Sequence, residues 1–218
     1  MVQKSEARRR GRPRAYDPGV ALERATEAFS DRGFSGTSLD DLSARTEMNR
    51  PSLYAAFGDK QALYLKTLDS YHAGRRAQLA AAFAAGRPLR DTLRAIYGRM
   101  IDAFLEGDDG ARGCYLVGTA ATEAVGNPEV RAMLAGFLRE LDEQLRQAFS
   151  AAQARGELGP EADPKSLAMI ASSVVHALAL RARAGQSRAV LREVADSAVE
   201  LICSSDGARR KSRRSAKR

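Results

Sequence analysis

Apolar residues recur at i, i+3, i+4 and i+7 along most of the chain, and few stretches alternate with period two, so the pattern predicts an all-α fold of about nine helices. Leu22, Ala25, Thr26 and Phe29 share one face of a first helix predicted from about Pro18 to Arg32 and ended by Gly33. Thr37 or Ser38 can cap a short second helix carrying Leu39 and Leu42, with Asp40 and Asp41 in its first turn, where the helix dipole favours anions. Asn49 can cap a third, with Pro51 in its opening turn, Leu53, Tyr54 and Phe57 facing inward, and Gly58 closing it. A fourth helix is expected from about Lys60 to Ala85 and a fifth around Leu93, Ile96, Tyr97, Met100, Ile101 and Phe104, followed by a GDDGARG loop. A short segment with Cys114, Leu116 and Val117, a long helix opened by Pro128, and two helices over about 164–184 and 187–204 complete the set.

Composition adds little to the fold but narrows the function. With 44% hydrophobic and 28% charged residues the 218-residue chain has an ordinary globular balance. No apolar stretch reaches the roughly 18 to 20 residues that span a bilayer, and no apolar segment of signal-peptide type follows the basic N-terminus, so a cytoplasmic protein without a membrane partner is expected. Cys114 and Cys203 are far apart and form no C-x-x-C pair, and His72 and His176 are isolated, so neither a disulfide framework, a metal site nor a cofactor is expected.

The net charge of +8 is uneven. Lys4, Arg8, Arg9, Arg10, Arg12 and Arg14 against Glu6 leave +5 on residues 1–16, and seven Lys or Arg against Asp206 leave +6 on residues 206–218. The intervening body is therefore about −3, and basic arms on such a body suggest a polyanionic partner, although arms of this kind can also serve solubility alone. The expected organisation is a basic arm over 1–16, a three-helix unit over 17–62, a larger helical domain over 63–205 and a basic tail over 206–218.

Two short helices joined around Arg45–Met48 and preceded by a longer one form the layout of a helix-turn-helix. Residues 21–64 sharpen that signal. Ala25, Phe29 and Gly33-Phe34, then Thr37-Ser38-Leu39 with Leu42-Ser43, then Leu53-Tyr54, Phe57, Lys60 and Leu63 follow the spacing of the tetracycline-repressor (TetR) family, which this stretch resembles. Ser43 stands where the family usually has alanine, and Ala56 where many members carry a DNA-contacting histidine. The resemblance implies a homodimeric transcriptional repressor that reads a near-palindromic, double-stranded operator and is released by a small effector. It points to Thr37, Arg45, Asn49, Arg50, Ser52, Tyr54 and Lys60 as DNA contacts, with Tyr54 and Lys60 on phosphates. In the arm, Gly11-Arg12-Pro13 matches the core of an AT-hook, so Arg12 and Arg14 can lie in a narrow A·T minor groove or attract phosphates diffusely.

The same resemblance places an effector pocket in the middle helices and the dimer interface on the last two. Tyr97, Met100, Phe104, Cys114, Tyr115, Met133 and Phe137 are the pocket candidates. With no dense charged cluster evident, a neutral or hydrophobic effector is expected. Cys114, after Gly113 at a helix start, is either a thiol open to an oxidant or electrophile or an inert core residue. Leu167, Ile170, Val174, Leu178, Val190, Val194 and Leu201 are the interface candidates, or alternatively internal core. No phosphate loop, nucleotide-binding glycine run, G-x-S-x-G or H-E-x-x-H is present, so no enzyme is expected. The competing reading is a nonspecific or architectural DNA-binding protein without an effector.

Overall fold

The computed structural model describes residues 17–106 and 113–204, and every regular element among them is helical. Helix α1 spans Pro18–Gly36, α2 Leu39–Thr46, α3 Arg50–Phe57, α4 Lys60–Ala84 and α5 Leu89–Phe104. A π-helical turn, Leu116–Ala120, runs directly into a one-turn α6, Ala121–Glu123, and α7 Pro128–Ala154, α8 Pro164–Arg183 and α9 Arg188–Cys203 follow.

The helix starts come from short polar side chains that satisfy otherwise orphaned backbone N–H groups. Asp17, Asn49, Asp59, Asn127, Asp163 and Ser187 each accept from an amide two or three residues ahead. Of the two possible caps for α2, Ser38 takes the position in a reciprocal capping box: its Oγ accepts from the Asp41 amide at 3.1 Å, and Asp41 Oδ2 accepts from the Ser38 amide at 2.9 Å. The Ser38 hydroxyl also donates to Asp41 Oδ2 at 2.6 Å, and that hydrogen bond, followed by the one from the Ser38 amide, is the main reason the Asp41 carboxyl sits below its ordinary range. Gly33 interrupts α1 as expected, at φ +72°, yet one further turn follows before Thr37. Between α2 and α3 the chain turns through Glu47 in the left-handed region, and Met48 drops into the core.

Two clusters of buried side chains divide the interior. One joins Ala25, Phe29, Leu42, Leu53 and Phe57 of the first three helices to Leu63, Tyr64 and Leu68 of α4, and also takes in Tyr115, Ala120, Val130 and Phe137. The other joins Leu79 of α4 to α5, the second half of α7, α8 and α9. Helix α4 crosses the expected boundary at residues 62 and 63 without a break and contributes one end to each cluster.

The segment from Gly113 to Glu123 bridges the clusters. Gly113 adopts φ +64°, and a Cβ there would meet the Ala179 carbonyl oxygen of α8 at 2.9 Å; Gly118 leaves room for the Arg183 guanidinium. On the opposite side Tyr64 Oη donates to Thr119 Oγ1 at 2.9 Å, Tyr115 Oη and Thr67 Oγ1 lie 2.7 Å apart, and Ser35 Oγ donates to Glu123 at 3.2 Å.

Candidate nucleic-acid interface and effector cavity

Helices α2 and α3 are eight residues each and are packed by α1 beneath them. On α3, Leu53 and Phe57 are buried, as their spacing predicts, whereas Tyr54 is 46% exposed and faces away from the core. The expectation that Tyr54 points inward is therefore corrected: residues 53 and 57 lie one turn apart on a single stripe, and residue 54 lies about 100° around the helix from 53. Asn49 and Arg50 are exposed beside it and Ser52 is half-buried. The α3 side-chain cap uses only Asn49 Oδ1, which accepts from the Ser52 amide at 2.9 Å.

Both arginines of this surface are paired with acids. Arg50 donates from Nε and Nη2 to Asp40 Oδ1 at 3.1 and 2.6 Å, and that hydrogen bonding raises the guanidinium pKa further. Arg45 donates to Asp31 at 2.7 Å and to Glu27 at 3.5 Å. Lys60 stands at the first position of α4 with its ammonium 4.4 Å from the centre of the Phe34 ring. Partial burial lowers its pKa, and Glu123 opposes the shift.

Thr37 does not join this surface. It is 1% exposed, and its hydroxyl donates to the carbonyls of Gly33 at 2.7 Å and Ala28 at 3.2 Å, so the residue ties the end of α1 to the start of α2 instead of facing DNA. Arg12 and Arg14 lie outside the described residues.

A second exposed surface is apolar. Ile170 on α8 and Val190 and Leu201 on α9 are exposed, with Leu201 at 75%, and Leu167, Val174 and Val194 are half-buried beside them. Met169 and Leu180, not anticipated from the sequence, extend the same face. Leu178 is a correction, because it is fully buried. It falls on the inner stripe of α8 with Ala171, Val175 and Ala182, opposite the outer stripe of Ile170, Ser173, Ala177 and Leu180.

Between α4, α5, α7, α8 and the Cys114 segment lies a cavity of about 100 Å³. Of the expected lining residues, Met100, Phe104, Cys114 and Phe137 face it, and Tyr97, Tyr115 and Met133 do not. Tyr97 turns into the α5–α8–α9 core, where its hydroxyl donates to the Ala171 carbonyl at 3.1 Å and burial raises its pKa. Tyr115 is held in the other cluster by Thr67 and by edge contact with Tyr64 and Tyr71, and Met133 packs against that same cluster.

The cavity wall is also more polar than the sequence suggested. Tyr71, His72, Arg75 and Arg76 reach it from α4, Gln144 from α7 and His176 from α8. His72 Nε2 lies 2.9 Å from Glu140 Oε2 and stacks on Phe137 at 4.0 Å between ring centres, and Arg76 approaches the same carboxylate at 3.5 Å. Hydrogen bonding from His72 is the largest reason the Glu140 carboxyl is held low. The half-buried Cys114 Sγ lies 3.8 Å from Tyr71 Oη, and the Arg75 guanidinium sits 4.9 Å from the Tyr71 ring centre. The spacing 71, 72, 75, 76 and 79 along one face of α4 was the available sequence signal; without the partner helices it reads as a solvated face. Among the described residues no helix is long and apolar enough to cross a membrane.

Comparison with known proteins agrees with this architecture. A family model described as bacterial regulatory proteins, tetR family, matches residues 21–67, and one described as tetracyclin repressor-like, C-terminal domain, matches residues 90–198. The chain is 29% identical over 196 residues to the HTH-type transcriptional repressor ComR of Escherichia coli, covering 88% of this chain and 91% of that one. It is 30% identical over 159 residues to the uncharacterized HTH-type transcriptional regulator YezE of Bacillus subtilis, covering 72% and 81%. Among solved structures, a cysteine mutant of the TetR family transcriptional regulator CifR complexed with 26 bp double-strand operator DNA superposes with a TM-score of 0.77 at 30% identity, covering 87% of this chain and 98% of that one.

Proposed function

Because the chain belongs to the TetR family of DNA-binding transcriptional regulators, which are not enzymes, we propose that it is a repressor that binds a near-palindromic operator as a dimer and is released when a small effector enters the cavity beneath α4. Residues 17–62 bind DNA and residues 63–205 sense the effector and dimerise. The observation that carries the reading is the division of α3: Leu53 and Phe57 anchor it in the core, while Arg50 and Tyr54 stay exposed and Ser52 half-buried. A helix of about two turns placed this way can enter the major groove, with Arg50 at base edges and Tyr54 and Lys60 on phosphates. Arg45 and Asn49 flank the entrance, and the arm residues Arg12 and Arg14 add minor-groove or phosphate attraction. On binding, Arg50 exchanges its Asp40 partner for base edges, and Arg45 exchanges Asp31 and Glu27 for the DNA backbone. The apolar α8–α9 face supplies the dimer contact, because an exposed stripe of Met169, Ile170, Leu180, Val190 and Leu201 gains free energy when a second copy covers it.

A second reading concerns the trigger. Cys114 shares the cavity with the Tyr71 hydroxyl, so the effector can be an oxidant: a hydroperoxide would convert the thiol to a sulfenic acid and leave the corresponding alcohol or water. Selection of bound sequences from random duplexes by the purified protein tests the main reading. A near-palindromic motif is the expected result; binding that follows charge alone, without a motif, would establish the architectural alternative. Repeating the selection with Cys114→Ser under reducing and oxidising conditions tests the trigger: release by peroxide that the variant loses supports the thiol, and release unchanged in the variant excludes it.

A further inference from the structure

The cavity wall carries one positive charge that its own acids do not neutralise. Arg76 and His72 share Glu140 at its rim. Arg75, half-buried on the next position of α4, donates to the amide oxygen of Gln78 at 3.2 Å and lies over Tyr71, and among the described residues no carboxylate pairs with it. His176 enters from α8 without a hydrogen-bond partner among the described residues. Burial lowers its pKa, against a smaller opposing effect of Asp142, so at pH 7 the ring is neutral and keeps one N–H to donate. Asp142 itself accepts from the Ser172 hydroxyl. Around these groups the wall is apolar, with Leu79, Met100, Phe104, Phe137 and Leu141.

We propose, on the premise that this cavity is the effector site, that its ligand is a small carboxylate with a short apolar body: the carboxylate is held by Arg75 with an N–H from His176, and the body packs against Met100, Phe104 and Phe137. The planar fork of a guanidinium matches a carboxylate in two parallel hydrogen bonds, and both are strengthened where water is scarce. Two arginines against one glutamate leave a single positive charge, which suits a monoanion better than a doubly charged phosphate. A volume of about 100 Å³ corresponds to roughly three waters at ~30 Å³ each, well short of the ~300 Å³ at which drug-sized pockets begin. That limits the body to a few carbon atoms. An uncharged isostere leaves the half-buried guanidinium without an anion, and sites built around such groups discriminate strongly against ligands that lack the partner.

Isothermal titration of the full-length protein with butyrate and hexanoate, against the isosteric butyramide and hexanamide and against methyl phosphate, tests this. The expected result is that at least one carboxylate binds tenfold or more tightly than its amide and than methyl phosphate, and that Arg75→Met removes the preference without lowering the unfolding temperature. Arg75→Lys, which keeps the charge but loses the fork, retains part of it and guards against a general effect of substitution at this position. Equal affinity for acid and amide overturns the anion proposal and leaves the effector cavity standing. Equal or tighter binding of methyl phosphate overturns the carboxylate class, and a preference that survives in Arg75→Met overturns the role of Arg75. Failure of every acid and amide to bind overturns the carboxylate proposal, while the effector-cavity reading is decided by the operator-release experiment with Cys114→Ser.

Discussion

The face of α3 and the outer face of α8 and α9 are both exposed, and they are exposed in opposite ways. The α3 surface is polar, and its arginines have acids of their own to rest on, Arg50 on Asp40 and Arg45 on Asp31 and Glu27. The α8–α9 surface is apolar along two helices, with Ile170 at 52% and Leu201 at 75% exposure. An apolar stripe costs free energy for as long as it is in water, so it favours a permanent partner. A paired polar surface is stable in water and gives up its internal partners only to a stronger anion, which favours a partner that comes and goes. On the proposed function, the difference separates a half that assembles once from a half that binds and releases.

Five predictions sharpen or break that contrast, beginning with the largest effect. Ile170→Glu combined with Leu201→Glu places two like charges on each copy of the apolar stripe. Sedimentation should show a monomer in place of a dimer, with operator affinity reduced by about a hundredfold or more, given ~1.5–3 kcal/mol for each buried large apolar side chain in each copy; an unchanged dimer would move the interface elsewhere. Arg50→Ala should weaken operator binding by about ten- to hundredfold through loss of base-edge contacts, with thermal unfolding unchanged because the side chain is exposed. Tyr54→Phe should do the same more weakly.

Thr37→Val probes the support behind the DNA face. Loss of a buried hydroxyl bonded to two carbonyls should cost about 1–2 kcal/mol, read as a few degrees in the unfolding temperature, with operator affinity per folded molecule retained. A variant that folds normally but loses its operator would return Thr37 to the contact surface. Smallest is the pH effect of His176 on the inner side of α8. Its folded pKa lies below the ordinary 6.5, so the unfolded chain takes up a proton that the folded protein resists. Stability should therefore decline as pH falls through about 6.5, and His176→Gln should flatten that slope in denaturant unfolding at pH 7.5 and 5.5.

The sequence made the DNA-binding half readable because its determinants are local. Caps, glycines and the 53–57 spacing act within a few residues, and Ser38, Asn49 and Gly58 stand where short-range rules put them. Even there the apolar pattern places Tyr54 on the wrong side, since a three-position stripe on an eight-residue helix is wide enough to admit it. The cavity is assembled from five separate stretches, and its polar members meet partners far along the chain, as His72 meets Glu140 68 residues away. Tyr97 and Met100 share a stripe on α5, and only the packing of α8 and α9 sends one into the core and the other toward the cavity. Leu178 shows the same limit on α8: an apolar helix with two apolar sides does not announce which one is outside.

Helix α4 has a bearing on how this protein could be recombined with its relatives. Leu63, Tyr64 and Leu68 belong to the interior beneath the DNA-binding helices and Leu79 and Ala82 to that of the sensor, with the cavity-facing stretch 71–76 between them. A hybrid regulator joined at the Gly58 turn would cut through the first interior and strand Tyr64 without the Phe29 and Phe34 rings that pack on it. The natural seam for grafting a new DNA-binding head onto this chain is thus midway along a continuous helix, after Leu68: a head that brings its own first two turns of α4 keeps the Phe29, Phe34 and Tyr64 packing and has only the contacts of Tyr64 and Thr67 with Thr119 and Tyr115 left to match.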